Sequence, residues 1–450
     1  MARNDAKENR ITQTLWLSAI IIPGIFLLAF LPEINFGLFQ LKKIDILSDL
    51  RPDPIAEQIA VPDSLTSGFV PPKTSSSKNI SITTIEDFSG ENKILKHFYH
   101  ALANADKQQV RVAIFGDSFI EGDIVSASLR DTLQRVFGGN GVGFVPLATE
   151  VSGFRKSIKH TYSGWETYSL LTHAPEAVFP IGISGYTYLP RENNHATYQP
   201  GKIPRQQNFN MVKIFYQNKG SASIHYRIND EPEIRHEAVS SDNIQQLIVT
   251  HSEIRSIQLS VSPHDSIAMF GVSFENSRGV YVDNFSMRRN SGIALGRLQP
   301  EVLKQFNGYL DYKLIILQYG LNVASESDST NYTGYATRMI KIVKDLKVIF
   351  PKTSFLLLSV SDRSTTKEGK IVTMEAIPKM RNMQREIARK SGIAFWDMYE
   401  GMGGRNSIIT YTESTPPLAS KDYTHLTHLG GNKIGRKLAD ALLHEINKDE

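Results

Sequence analysis

A serine hydroxyl becomes a nucleophile when a histidine takes its proton, and the histidine does so when a carboxylate fixes its tautomer. The chain carries these three residue types in two short stretches far apart in sequence. Gly116-Asp117-Ser118 follows the apolar run VRVAIF, residues 110–115, and precedes a helical pattern over 124–137. Near the other end, KDYTHLTHLGG places Asp422 and His425 three residues apart, just ahead of a further helical pattern. Either stretch alone reads as a turn or a helix cap, because Gly, Asp and Ser are ordinary turn residues. Together they offer acyl transfer through a serine ester. Asn322, in Gly320-Leu321-Asn322 directly after LIILQY, adds a carboxamide that can donate to a developing oxyanion beside the backbone N–H of Ser118. Gly292, in RRNSGIALG after VYVDNF, is either a second backbone donor or an ordinary turn glycine.

Other polar groups weigh less. His425 and His428 have the i, i+3 spacing of a metal pair, but no third ligand is evident. Asp362-Arg363 follow SFLLLSV at a strand end and either line a site or pair with each other, with the structural reading favoured. Trp165, Tyr186, Tyr188 and Tyr198 offer faces to a sugar ring, although aromatics in a β-rich region are more often core or rim. Glu121 and Asp123 open the helix after Ser118, where acids suit the dipole.

The elements that must position these groups follow from periodicity. The run 110–115 is short, apolar and β-branched, as in a buried parallel strand. Residues 124–137 have helical spacing and end at Gly138 and Gly139. Over 149–276 the pattern becomes alternating, with turn signals between short segments, which predicts an antiparallel β-sandwich of jelly-roll type. After residue 279 strands and helices alternate again. The sequence therefore predicts one α/β domain, residues 88–148 and 277–450, interrupted by a β-domain at 149–276. Ser118 and Asn322 both follow predicted strands, at the sheet edge where α/β sites form.

With 450 residues, 41% hydrophobic and 21% charged, the chain is long enough for two cored domains. The net charge of +4 is spread along it, with no basic stripe, which argues against nucleic-acid binding. The absence of cysteine removes thiol chemistry and disulfides. Residues 11–31 are uninterrupted by charge, enough for about 30 Å of helix. Arg3, Lys7 and Arg10 precede them. This predicts a transmembrane anchor rather than a cleaved signal peptide, with 1–10 cytoplasmic, 32–87 a Pro/Ser/Thr-rich stalk and the remainder extracytoplasmic, in the periplasm.

The ordered set GDS, glycine block, G-x-N and D-x-x-H resembles the four sequence blocks of the SGNH (GDSL-type) hydrolases. The resemblance covers about residues 88–450. It implies a flavodoxin-like three-layer α/β/α domain with a parallel sheet. It also implies a triad of Ser118, Asp422 and His425, and an oxyanion hole of Ser118, Gly292 and Asn322. A β-domain inserted after the serine block resembles the peptidoglycan O-acetylesterases, which carry a carbohydrate-binding-like module there. The flanks FGDSFIEGDI, FGGNGVGFVP, VDNFSMRRNSGI and AFWDMYEGMGG resemble membrane-anchored members, some of which accompany membrane-bound O-acyltransferases. The implied function is a serine esterase that removes O-acetyl groups from an envelope glycan, with no cofactor or metal. The alternatives are an O-acyltransferase step with a membrane-bound partner and a non-catalytic glycan-binding protein. Two positions depart from the family pattern. Arg289 stands where a glycine is expected, and Leu321 where a small polar residue is usual.

Overall fold

The computed structural model describes residues 34–36, 39–41, 82–90, 94–171, 178–263, 265–326 and 331–446. The chain divides into two units, Met1–Thr74 and Ser75–Glu450. In the first, strands β1 (Ile34–Phe36) and β2 (Phe39–Leu41) pair antiparallel. In the second, β3 (Ile85–Asp87) and β4 (Gln109–Gly116) flank helix α1 (Lys96–Leu102), and β4 leads into helix α2 (Ser126–Phe137). Nine strands follow: β5 (Gly143–Val145), β6 (Ile158–Ser169), β7 (Tyr186–Pro200), β8 (Met211–Asn218), β9 (Ser223–Ile228), β10 (Ile234–Glu237), β11 (Gln245–Thr250), β12 (Ile257–Ser262) and β13 (Ile267–Glu275). The first sheet resumes with β14 (Gly279–Ser286), α3 (Pro300–Leu310), β15 (Tyr312–Gln318), α4 (Thr333–Ile349) and β16 (Ser354–Leu358). A hairpin, β17 (Ser364–Lys367) and β18 (Lys370–Thr373), precedes α5 (Ala376–Ser391) and β19 (Ala394–Trp396). Helices α6 (Met398–Met402), α7 (Ser407–Glu413) and α8 (His428–Ile446) complete the chain.

Period-two alternation builds the layers. Along β4, Val110, Val112 and Ile114 enter one apolar cluster with Phe98 of α1, Leu129 and Leu133 of α2, and Ile434 and Leu438 of α8. Ala113 and Phe115 enter the opposite cluster with Phe306 of α3 and Met339 and Val343 of α4. β15 divides the same way, Leu314 and Ile316 to one face, Ile315 and Leu317 to the other. The six-stranded order is β14-β4-β15-β16-β19-β3. Its first five strands run parallel, whereas β3 pairs antiparallel with β19. The expected all-parallel sheet is thus corrected to a mixed one. Its extra edge strand comes from residues 85–87, inside the segment read as stalk.

The inserted region is corrected too. Its nine strands form one hydrogen-bonded sheet, not the two facing sheets of a sandwich. Val145, Ile158, Tyr188, Ile214, Ile224, Ile257 and Val272 come from seven different strands yet share one buried core, so the sheet curls around it. β5, at residues 143–145, already pairs with β13.

The membrane expectation is also overturned. No helix among the described residues is long and apolar enough to cross a membrane. The segment 11–31 itself lies outside the described residues. The inner-membrane, single-pass topology, the periplasmic placement and the membrane anchoring rested on that segment's length and hydropathy, and no described helix has those properties.

Candidate functional site

β4 delivers Ser118. Its last residue, Gly116, has no room for a side chain: a Cβ would lie 2.7 Å from the Ile120 side chain and 3.0 Å from the Gln318 carbonyl. The Asp117 carboxylate accepts the Phe119 N–H at 2.9 Å, and a 3-10 turn over Ser118–Asp123 follows. This lifts the serine off the carboxyl end of β4.

The histidine arrives on the loop before α8. An isolated bridge between Ala419 and Leu426 and the Ser420 N–H to His425 carbonyl bond, 2.8 Å, close that loop. Ser118 Oγ lies 3.1 Å from His425 Nε2, and His425 Nδ1 lies 2.6 Å from Asp422 Oδ2. The other Asp422 oxygen accepts the N–H groups of Thr424 and His425, each at 3.0 Å. Partial burial works against the Asp422 charge, but these bonds and the His425 side chain hold its carboxyl below the ordinary range. A fixed carboxylate on Nδ1 leaves Nε2 as the atom facing the serine. The structure thus brings Ser118, His425 and Asp422 into one line.

Asn322 lies beside them. Its Nδ2 donates to Asp117 Oδ2 at 3.0 Å and to the Asn290 carbonyl at 3.2 Å. The loop that carries it is held by Gln384 of α5. That side chain donates to the Tyr319 carbonyl and accepts the Val360 N–H, both at 2.7 Å. Arg363 reaches the Leu321 carbonyl at 3.3 Å. Asp117 is 1% exposed, and burial pushes its carboxyl up to about 6, against bonds from Phe119 and Asn322 and the charge of His425.

The Gly292 N–H donates to Asn290 Oδ1 at 2.8 Å, and its α-carbon packs against the Tyr319 ring. That amide is engaged in an Asx turn with Asn290 in this structure. Arg289, where the family pattern carries glycine, has φ 61. This left-handed conformation is one that glycine adopts without steric cost.

The remaining candidates also find places. Asp362 is fully buried and accepts the N–H groups of Arg363 and Ile408. Tyr188 and Tyr198 are buried, Trp165 donates to the His195 carbonyl, and Tyr186 is half-buried. His428 stacks on Phe154, with ring centroids 4.5 Å apart. Among the described residues no three His, Asp or Glu side chains group to hold a metal. Asp123 serves a hub, not a helix dipole. Fully buried at φ 68, it binds Arg130 of α2, Ser126, and Arg155 and Ser157 of the inserted region. Burial opposes its charge, but Arg130 and Arg155 hold it far below the ordinary carboxylate range. Glu121 forms a two-oxygen pair with Arg288 Nε at 2.8 and 2.7 Å. Asn290, Gln384, Arg155 and Phe154 had no signal in the sequence beyond ordinary turn, helix or loop character.

A parallel-centred sheet between two helical layers, with serine after the first central strand and histidine before the last helix, resembles the SGNH or GDSL-type esterase fold. A solved peptidoglycan O-acetylesterase is similar over 81% of this chain and 99% of its own, at 16% identity and a TM-score of 0.66. A Bacillus subtilis protein matches over 64% and 90%, at 13% identity and a TM-score of 0.31. A family two carbohydrate esterase from Cellvibrio japonicus matches over 65% and 99%, at 9% identity and a TM-score of 0.27. At these identities the first likeness concerns the fold. No protein-family model and no curated protein matches the chain.

Proposed function

We propose that this chain is a serine esterase that removes O-acetyl groups from a cell-envelope glycan such as peptidoglycan. The observation that carries the reading is the line from Ser118 Oγ to His425 Nε2, 3.1 Å, and from His425 Nδ1 to Asp422, 2.6 Å. His425 takes the proton of Ser118 as Oγ attacks the acetyl carbonyl. The oxyanion is held by the Ser118 N–H and by Asn322, whose longer contact, to the Asn290 carbonyl, gives way to it. The tetrahedral intermediate expels the sugar oxygen, which leaves with the proton from His425. Water, deprotonated by His425, then releases acetate from the serine ester.

The substrate class draws on the solved protein that is similar over 99% of its own length and 81% of this chain. The test is acetate release from O-acetylated peptidoglycan by the full chain and by Ser118→Ala. Release that disappears in the variant supports the reading. No release from the unaltered chain, or equal release from both, removes it.

A further inference from the structure

The inserted region reaches the site through one side chain. Phe154 is 45% exposed, and no other phenylalanine or tryptophan among the described residues is an exposed large hydrophobic. Part of its ring is taken up by the site's own loops. It stacks on His428, three residues after His425. It also occupies the space where a side chain at Gly122, four residues after Ser118, would stand.

The backbone that carries the ring is tied down. Its N–H donates to the Val151 carbonyl at 3.0 Å. The next residue, Arg155, is anchored by Ser157 Oγ at 2.8 Å and by the buried Asp123 at 3.2 Å.

The surroundings are polar. Glu121 and Arg288 form their ion pair beside this loop, on residues adjoining Gly122 and the turn that holds Arg289. Glu121 lies within reach of the charges of His425 and Glu150, and Tyr186 within reach of Glu121, Glu150 and Arg288. A lone exposed aromatic ring beside the Glu121–Arg288 pair does not suit a fatty chain, which needs a continuous apolar channel. It suits a pyranose ring, which has an apolar face and a hydroxyl edge.

We propose that the exposed part of the Phe154 ring is the platform on which a sugar ring of the acetylated glycan stacks while its ester reaches Ser118. This rests on the esterase reading above. It makes the inserted region a contributor to substrate selection at the site itself.

The experiment compares the full chain with Phe154→Ala and Phe154→Trp on two substrates: soluble O-acetylated peptidoglycan fragments and 4-nitrophenyl acetate, which has no sugar. For Phe154→Ala the KM for the fragments is expected to rise about 3- to 10-fold, the scale of one aromatic stacking contact. Its kcat should be little changed, and its kinetics on 4-nitrophenyl acetate unchanged. Phe154→Trp should restore the fragment KM. An unchanged fragment KM in Phe154→Ala overturns the platform. So does an equal loss on both substrates, which would mean that the ring only props His428. Fragment binding to Ser118→Ala and to Ser118→Ala/Phe154→Ala separates this idea from the esterase reading. Binding that weakens without Phe154 supports the platform even if the unaltered chain releases no acetate, and equal binding overturns it.

Discussion

Asn322 and Asp117 show how little of a polar site is set by the reacting groups alone. The Asn322 carboxamide is fixed in orientation because its nitrogen donates to the Asp117 carboxylate and the Asn290 carbonyl. If it donates to the oxyanion, Asn322→Ala should lower kcat/KM by about 10²- to 10³-fold with KM little changed. A variant within a few-fold of the unaltered chain removes it from that role. Asp117 carries its own prediction. Its carboxyl is raised from 3.8 to about 6, because burial outweighs its bonds to Phe119 and Asn322. A raised acid binds its proton more tightly in the folded state. It therefore favours folding below about pH 4 and loses that contribution as pH rises toward 6, by about 3 kcal/mol at 1.36 kcal/mol per unit. Asp117→Asn cannot titrate. Urea-unfolding free energies of the two proteins at pH 4 and pH 7 should therefore diverge by most of that amount, the native aspartate falling relative to the variant. A constant gap between them would refute the burial argument.

At the scale of elements, the His425 loop is placed by how closely α8 approaches α2. A Cβ at Gly431 would enter the Ile124 carbonyl, and one at Gly435 the Ser128 hydroxyl and the Val125 carbonyl. Gly431→Ala should push the start of α8 outward. The His425–Ser118 contact would then open and kcat/KM on 4-nitrophenyl acetate fall by about 10²-fold, with a stability loss of about 1–3 kcal/mol from overpacking. Full activity with a lowered thermal midpoint would show that the loop is positioned independently of the helix. Much of this framework was legible in advance. An apolar run ending in GDS and a D-x-x-H ahead of a helical pattern are local signals, and the structure brings their side chains together. Local signals do not reveal partners. Nothing in RRNSGIALG shows that Asn290 captures the Gly292 amide, since Asn and Gly are ordinary turn residues. Alternation identified the strands of the insert but not that they share one curled ladder, because period two fixes a face and not a neighbour. Phe154 sits in an aperiodic loop, where no pattern distinguishes it.

The unit Ser75–Glu450 is joined across its two large sheets by a buried charge cluster that begins inside an apolar-looking strand. Arg111 of β4 donates to both Asp283 oxygens of β14 at 2.9 Å, and also pairs with Glu275 of β13. Lys213 of β8 meets Glu275 at 2.8 Å, and the Tyr312 hydroxyl of β15 donates to Asp283 at 2.7 Å. Asp283 in turn accepts the N–H of Phe144 in β5 at 2.9 Å. Burial opposes the Arg111 charge, but Asp283 and Glu275 hold its pKa well above the ordinary arginine value. Aromatic packing follows the same seam, with Phe215 and Phe270 of the insert 5.7 and 5.6 Å from Phe306 of α3. Arg111→Met leaves two fully buried carboxylates short of their main partner, which should cost about 3–5 kcal/mol. Since the seam belongs to both sheets, the cost should fall on both. Trp165 reports on the inserted sheet and Trp396 on the central one. With Trp16 and one of these replaced by phenylalanine in turn, fluorescence-monitored urea transitions should coincide, and Arg111→Met should move them together to lower denaturant. A shift of the Trp165 transition alone would mean that the insert folds as a separate unit. Its contribution at the Ser118 edge would then depend on the loop around Asp123 and Arg155 instead of on this shared seam.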